Sequence, residues 1–82
     1  MTWNCYILRC ADGSLYTGIT NDIDKRLISH NAGAASRYTR GRRPVALVYA
    51  EPLADRSAAT KREAALKRLP RVAKLKLVSA YY

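Results

Sequence analysis

Five side chains in this sequence carry chemistry that a fold could gather into one place: the phenols of Tyr6 and Tyr16, the guanidinium of Arg26, the single imidazole of His30 and the carboxylate of Glu63. A phenol ionises near pH 10 and accepts a proton at neutrality only where nearby cations lower that value; an imidazole exchanges protons close to neutral pH. An arginine balances developing negative charge. A lone carboxylate can hold a hard divalent ion such as Mg²⁺ when waters and a substrate phosphate complete the shell. Each group also has an ordinary reading. The tyrosines suit strand packing, Arg26 a solvated surface charge, and His30 a local hydrogen bond on a helix face. Glu63 would form an i, i+4 pair with Lys67 worth about 0.3 kcal/mol. Glu63 is nevertheless the only acid between Arg56 and Tyr82, where eight Lys and Arg surround it.

The elements that must position these groups begin with a hairpin. Trp3 to Cys10 and Leu15 to Thr20 are rich in strand-favouring residues, and Ala11-Asp12-Gly13-Ser14 between them is a turn in which Gly13 can take positive φ. Parity decides what the tyrosines do. A two-residue loop of Asp12-Gly13 would put Tyr6 and Tyr16 on different faces. A three-residue loop of Ala11-Asp12-Gly13 pairs Leu8 with Tyr16 and Tyr6 with Gly18, so that Tyr6, Leu8, Tyr16 and Gly18 share a face. The odd loop is preferred, because it collects Trp3, Cys5, Ile7, Leu15, Thr17 and Ile19 on the other, greasier face.

Thr20-Asn21-Asp22 offers helix N-caps, and Ile23, Leu27 and Ile28 recur at helical spacing, predicting a helix over 22–32 with Arg26 and His30 stacked on one side of it. Residues 33–44 have neither period and read as a surface loop. Its Arg37, Arg40, Arg42 and Arg43, interleaved with Tyr38, suit phosphate contacts and stacking, although a loop must be polar in any case. Pro44 to Pro52 is an almost continuously apolar strand bounded by prolines, predicting cover on both faces. Asp55 or Ser57 caps a helix over 56–69 with Ala58, Ala59, Ala65, Leu66 and Leu69 inward. Pro70 restarts a short helix with Val72, Leu75 and Val78 inward and Arg71, Lys74 and Lys76 outward. The order is β-β-α-β-α-α in a single domain, 1–82.

The chain has 82 residues, 49% of them hydrophobic, with 15 Lys and Arg against 6 Asp and Glu for a formal charge of +9. A thin core is expected at this size. No apolar run approaches a membrane span, so a soluble protein is expected, and the start Met1 to Cys5 lacks the marks of a signal peptide, which favours the cytoplasm. Cys5 and Cys10 are five apart on one strand and point to opposite faces, too far apart to bridge, and fit a reducing compartment. The charge excess points to a polyanion, nucleic acid ahead of a membrane surface.

Taken in order, Tyr6-Ile7-Leu8-Arg9-Cys10, Leu15-Tyr16-Thr17-Gly18-Ile19-Thr20, Arg26-Leu27 with His30-Asn31, Tyr38-Thr39-Arg40-Gly41-Arg42-Arg43-Pro44 and Lys61-Arg62-Glu63 form five blocks. Together they resemble the GIY-YIG nuclease superfamily, and more closely its small stand-alone bacterial branch. The name-giving triplets stand here as Asn4-Cys5-Tyr6 and Tyr16-Thr17-Gly18, which keep both phenols and the second glycine.

The resemblance implies an α/β (α+β) fold with a three-stranded antiparallel sheet flanked by helices, and divalent-metal-dependent cleavage of phosphodiesters. It implies that Tyr6 and Tyr16 orient or deprotonate water or contact the phosphate, that Arg26 stabilises charge, that His30 assists proton transfer and that Glu63 holds Mg²⁺ or Mn²⁺. DNA is favoured over RNA as substrate, in branched, flapped or single-stranded form. Affinity is expected from Arg37, Tyr38, Arg40, Arg42 and Arg43, from the helix carrying Lys61 and Lys67, or from a protein partner or self-association. The alternatives are a nucleic-acid-binding protein with little or no turnover and a partner-dependent module of a repair complex.

Overall fold

The computed structural model describes residues 2–81; Met1 and Tyr82, at the ends of the expected 1–82 domain, lie outside the described residues. Three strands, β1 (Trp3–Arg9), β2 (Leu15–Thr20) and β3 (Ala46–Leu53), form an antiparallel sheet in the order β2-β1-β3. Around it lie α1 (Ile23–Asn31), α2 (Arg37–Arg40), α3 (Arg56–Arg68) and α4 (Arg71–Tyr81).

The hairpin has the odd loop. Cys10 N–H donates to the Ser14 carbonyl at 2.9 Å, Gly13 N–H to the Cys10 carbonyl at 2.9 Å, and Gly13 sits at φ +84°, a conformation that only a residue without Cβ adopts freely. Asp12 stiffens the turn by accepting from the Ser14 amide at 3.0 Å and the Ser14 hydroxyl at 2.6 Å. The resulting register pairs Tyr6 with Gly18 and Leu8 with Tyr16. Two half-cores follow. Tyr6, Leu8 and Cys10 pack with Val45, Tyr16, Ile23, Leu27, Leu47 and Ala50 under α1. Cys5 and Ile7, on the opposite face, are closed by α3 through Ala59 and Leu66, all four being fully buried.

Several local expectations change. The stretch 33–44 is not all loop: Ser36 caps α2 by accepting from the Tyr38 amide at 3.2 Å, a single turn too short to leave a period in sequence. The element order is therefore β-β-α-α-β-α-α. Pro52 does not end β3 but lies within it opposite Asn4, tolerated because β3 is an edge strand and need not use every N–H. The same edge position leaves most of β3 only half-covered, with Val48 buried and Ala46 exposed, rather than covered on both sides. Between Ile7 and Leu8 the pairing steps from Tyr49 to Leu47, and the extra residue, Val48, makes a bulge.

Asp55, not Ser57, caps α3, accepting from the Ala58 amide at 2.8 Å. Its inward stripe is Ala59, Arg62, Glu63 and Leu66, while Ala65 faces solvent. On α4 the phase is rotated from that expected: Val72 is 65% and Leu75 41% exposed, while Ala73, Lys74, Leu77 and Val78 are half-buried. Two anchors set this rotation. Arg71 donates to the Gly13 carbonyl at 2.9 Å, and the Tyr81 ring lies 5.5 Å from the Tyr49 ring.

Candidate active site

The odd turn puts Tyr6 and Tyr16 on one face of neighbouring strands, and Gly18 makes room for them. A Cβ on Gly18 would stand 2.6 Å from the Tyr6 hydroxyl oxygen and 3.2 Å from a Tyr16 ring carbon, so any side chain there must displace the phenols. Tyr6 is 2% exposed. Tyr16 is half-buried, and its hydroxyl has no hydrogen-bond partner among the described residues.

Over these rings stands α1, started by Asp22, whose carboxylate accepts from the Lys25 amide at 3.1 Å. Two turns later it delivers His30, which is fully buried. Nε2 of His30 lies 2.9 Å from the Tyr6 hydroxyl and Nδ1 lies 2.8 Å from the Thr39 hydroxyl on α2. The imidazole meets the Tyr16 ring edge-on at a centroid distance of 5.2 Å, and Tyr16 in turn lies 5.8 Å from Tyr38. Burial, reinforced by the charge of Arg26, holds the His30 pKa below its ordinary value, so the ring is neutral at pH 7. Burial also pushes the Tyr6 phenol up; the neighbouring Arg26 guanidinium works against that, while Tyr16 and Glu63 add to it.

Arg26, on the same side of α1 as His30, completes the inner group. Its Nε is buried and has no hydrogen-bond partner among the described residues, a donor left open beside a phenol. Tyr6, Tyr16, Arg26 and His30 thus stand together. Glu63 does not join them by hydrogen bond. It lies on α3, half-buried, with Lys67 Nζ 3.3 Å from its Oε2, although its charge is felt at both Tyr6 and Cys5. The i, i+4 pair weighed for it in the sequence is present.

The arginine-rich segment is less free than its composition suggests. Arg42 donates to Asp12 at 3.1 Å and to the Tyr38 carbonyl at 2.9 Å, with its guanidinium 4.0 Å over the Tyr38 ring. Arg43 donates to the Arg40 carbonyl at 2.9 Å and the Asn31 carbonyl at 3.4 Å, over Gly33, where a Cβ would meet its Nη1 at 2.8 Å. These two arginines staple the loop to the hairpin and to α1. Arg37, Arg40, Lys61 and Lys67 are exposed.

Two contributors escaped the sequence reading. Thr39 holds the far side of His30, and Asn31 clamps the start of β3 by accepting from the Val45 amide at 2.8 Å and donating to the Val45 carbonyl at 3.1 Å. Both lie in blocks already singled out, Tyr38 to Pro44 and Arg26 to Asn31. The signal available was the presence of a hydroxyl and an amide among the residues of the blocks.

The GIY-YIG catalytic domain matches residues 2–76 of this chain. A UPF0213 protein of Desulfotalea psychrophila is 56% identical over 79 residues, covering 95% of this chain and 72% of that protein. One from Staphylococcus saprophyticus is 54% identical over 74 residues, covering 90% of each. Among solved structures, the solution NMR structure of a UPF0213 protein from Bacillus halodurans superposes with a TM-score of 0.62 at 42% identity, covering 98% of this chain and 85% of that one. A second NMR structure, of a protein from E. faecalis, gives 0.65 at 38% identity, covering 99% and 86%. With five sequence blocks, an antiparallel three-stranded sheet and a phenol–imidazole cluster beside an arginine, the chain belongs to the GIY-YIG catalytic domain family.

Proposed function

We propose that this chain is an endonuclease that hydrolyses phosphodiester bonds in nucleic acid, DNA in preference to RNA. The observation that carries the reading is the buried Tyr6–His30 pair at 2.9 Å, set beside the unpartnered Nε of Arg26 in a chain of net charge +9. A phosphate meets Tyr16 and Arg26 first, since Tyr6 is covered. The Tyr16 hydroxyl orients the phosphate or the attacking water, and the Arg26 guanidinium balances the charge that grows on the phosphoryl oxygens. Tyr6 takes a proton from the attacking water as its own proton passes to neutral His30. The water oxygen bonds to phosphorus, the bond from phosphorus to the leaving sugar oxygen breaks, and that oxygen takes a proton from solvent, since both ring nitrogens of buried His30 are occupied by Tyr6 and Thr39.

Among the described residues no three His, Cys, Asp or Glu side chains gather as a metal set. A single half-buried carboxylate such as Glu63 suits an ion that draws the rest of its shell from water and phosphate, and Mg²⁺ or Mn²⁺ is proposed there. Such an ion supplies charge neutralisation at the phosphate. Binding draws on exposed Arg37, Arg40 and Lys61, with structured or single-stranded DNA as the proposed substrate and a protein partner or a second copy adding selectivity. A reducing, cytoplasmic setting belongs to the same reading, because Cys5 and Cys10 are both free and buried. A second reading, binding without turnover, draws support from the Lys67 contact to Glu63, which competes with a metal ion.

Cleavage of a panel of branched, flapped, single-stranded and duplex DNA and RNA, with Mg²⁺ or Mn²⁺, tests the proposal. Wild type is expected to cut, and Glu63→Ala and Tyr6→Phe to fail. Equal cutting by all three would mark a contaminant. Binding without cutting, weakening steeply with salt and on loss of Arg37 and Arg40, would favour the second reading.

A further inference from the structure

We infer that Thr39 is a positioning residue: it holds His30 as the Nδ1–H tautomer and so leaves Nε2 bare to receive the proton of the Tyr6 hydroxyl. The tautomer stands on geometry alone; its consequence for catalysis rests on the nuclease reading.

The argument is a count of protons in a closed space. Tyr6 is 2% exposed, and both His30 and Thr39 are 0% exposed, so in the absence of substrate these groups find their partners in one another. The Thr39 hydroxyl has one proton and two contacts, the Ser36 carbonyl at 3.3 Å, which can only accept, and His30 Nδ1 at 2.8 Å. A proton turned to Nδ1 forfeits the carbonyl bond, whereas the arrangement that keeps both bonds points the proton at the carbonyl, the back-bond that a threonine makes three residues along a helical turn. What Thr39 turns to His30 Nδ1 at 2.8 Å is therefore a lone pair, and Nδ1 must carry the hydrogen. A neutral imidazole has one N–H, so Nε2 is an acceptor and the 2.9 Å contact to Tyr6 is a hydrogen bond donated by the phenol. Protons then run in one direction, from Tyr6 to His30, from His30 to Thr39, and from Thr39 to Ser36.

The reverse chain fails at Tyr6. If Nε2 carried the hydrogen, it would donate to the phenolic oxygen, and the buried phenolic proton would be left with no acceptor, because the neighbouring Arg26 only donates. In the forward chain the lone pairs of the phenol stay open to Arg26, whose proximity already pulls against the burial of that phenol. A doubly protonated ring is disfavoured by the same burial and by Arg26. Thr39 sits between Arg37 and Arg40 on α2, so the residue that orients the imidazole belongs to the segment proposed to approach the phosphate backbone.

His30 is the only histidine of the chain, so the imidazole ¹⁵N spectrum contains a single pair of ring signals. At neutral pH the wild type and Thr39→Ser are expected to show a protonated Nδ1 and a bare Nε2, and Tyr6→Phe to keep that tautomer. Thr39→Val, close in shape but without the hydroxyl, is expected to shift toward Nε2–H. Its cleavage rate should fall about 100-fold, the scale of a misplaced general base, and Thr39→Ser should restore most of it. An Nε2–H wild type, an unchanged tautomer in Thr39→Val, or a tautomer that flips in Tyr6→Phe would each overturn the assignment to Thr39. The wild-type spectrum decides the matter even if Thr39→Val does not fold. The expected tautomer in a wild type that cuts no substrate with any metal upholds the inference and overturns the nuclease reading instead.

Discussion

Two tyrosine-centred clusters lie on opposite faces of the same sheet, and they differ in what they leave unsatisfied. On one, Tyr49 donates to Glu51 at 2.6 Å and Arg62 closes on both oxygens of that carboxylate at 2.9 and 3.2 Å. The phenol, the carboxylate and the Arg62 Nε–H are all partnered within the cluster. On the other, Tyr6 is linked through His30 to Thr39, but Arg26 Nε has no partner and the Tyr16 hydroxyl makes no hydrogen bond among the described residues. Both clusters are built from a phenol and an arginine on strand and helix. The closed one holds α3 to the sheet, and the open one keeps unused bonding capacity, which the nuclease proposal assigns to the phosphate; residue type alone would not separate them.

The widest separation comes from the two glutamates. Glu63→Ala is expected to lower cleavage by about 100-fold or more while changing stability by less than about 1 kcal/mol, since its partner Lys67 is 55% exposed. Glu51→Ala should do the reverse. It leaves cleavage per folded molecule unchanged and costs about 1–2 kcal/mol in denaturant melts, the upper end being discounted because Arg62 is 37% exposed. Next comes Gly18→Ala, which drives a methyl into the Tyr6 hydroxyl region and is expected to cost about 1–3 kcal/mol, read as a lowered Tm, together with loss of cleavage.

The pH dependence of stability divides between the faces. His30 is held below its ordinary 6.5, so as pH falls below that value the unfolded chain takes up a proton that the folded chain resists, and stability declines. Replacing His30 with Gln should flatten this acid limb. The Cys5 thiol is pushed up from 9.0 to about 11 by burial first and then by Glu51 and Glu63. Above pH 9 the unfolded thiol ionises first and stability falls again, a limb that Cys5→Ala should reduce. Melts across pH 5–11 would show both limbs. The smallest effect is that of Lys67→Ala, expected within about 0.5 kcal/mol of wild type in the same melts.

How far this was legible in sequence depends on the range of the physics involved. The turn Ala11-Asp12-Gly13 sets a strand parity, so the shared face of Tyr6 and Tyr16 follows from a local rule. The Asp22 and Asp55 caps are equally local. The partner of His30 is not: Thr39 lies nine residues on, in a segment without period, and reaches the imidazole only because Arg42 and Arg43 staple that segment down. Those arginines read as free phosphate ligands because composition registers charge and not carbonyl partners. The rotation of α4 is not legible in sequence for a related reason, since Val72, Leu75, Leu77 and Val78 offer two apolar sides and the choice rests with the distant contact of Arg71 to Gly13.

The contrast between the clusters is tested most directly by removing one oxygen from each. Tyr6→Phe and Tyr49→Phe are compared with wild type for cleavage of a DNA panel in Mg²⁺ or Mn²⁺, with melts confirming that each variant is folded at the assay temperature. Cleavage is expected to fall by about 100-fold or more in Tyr6→Phe and to stay within about two-fold of wild type in Tyr49→Phe. Equal rates in the two folded variants would contradict the assignment of the open cluster as the active site.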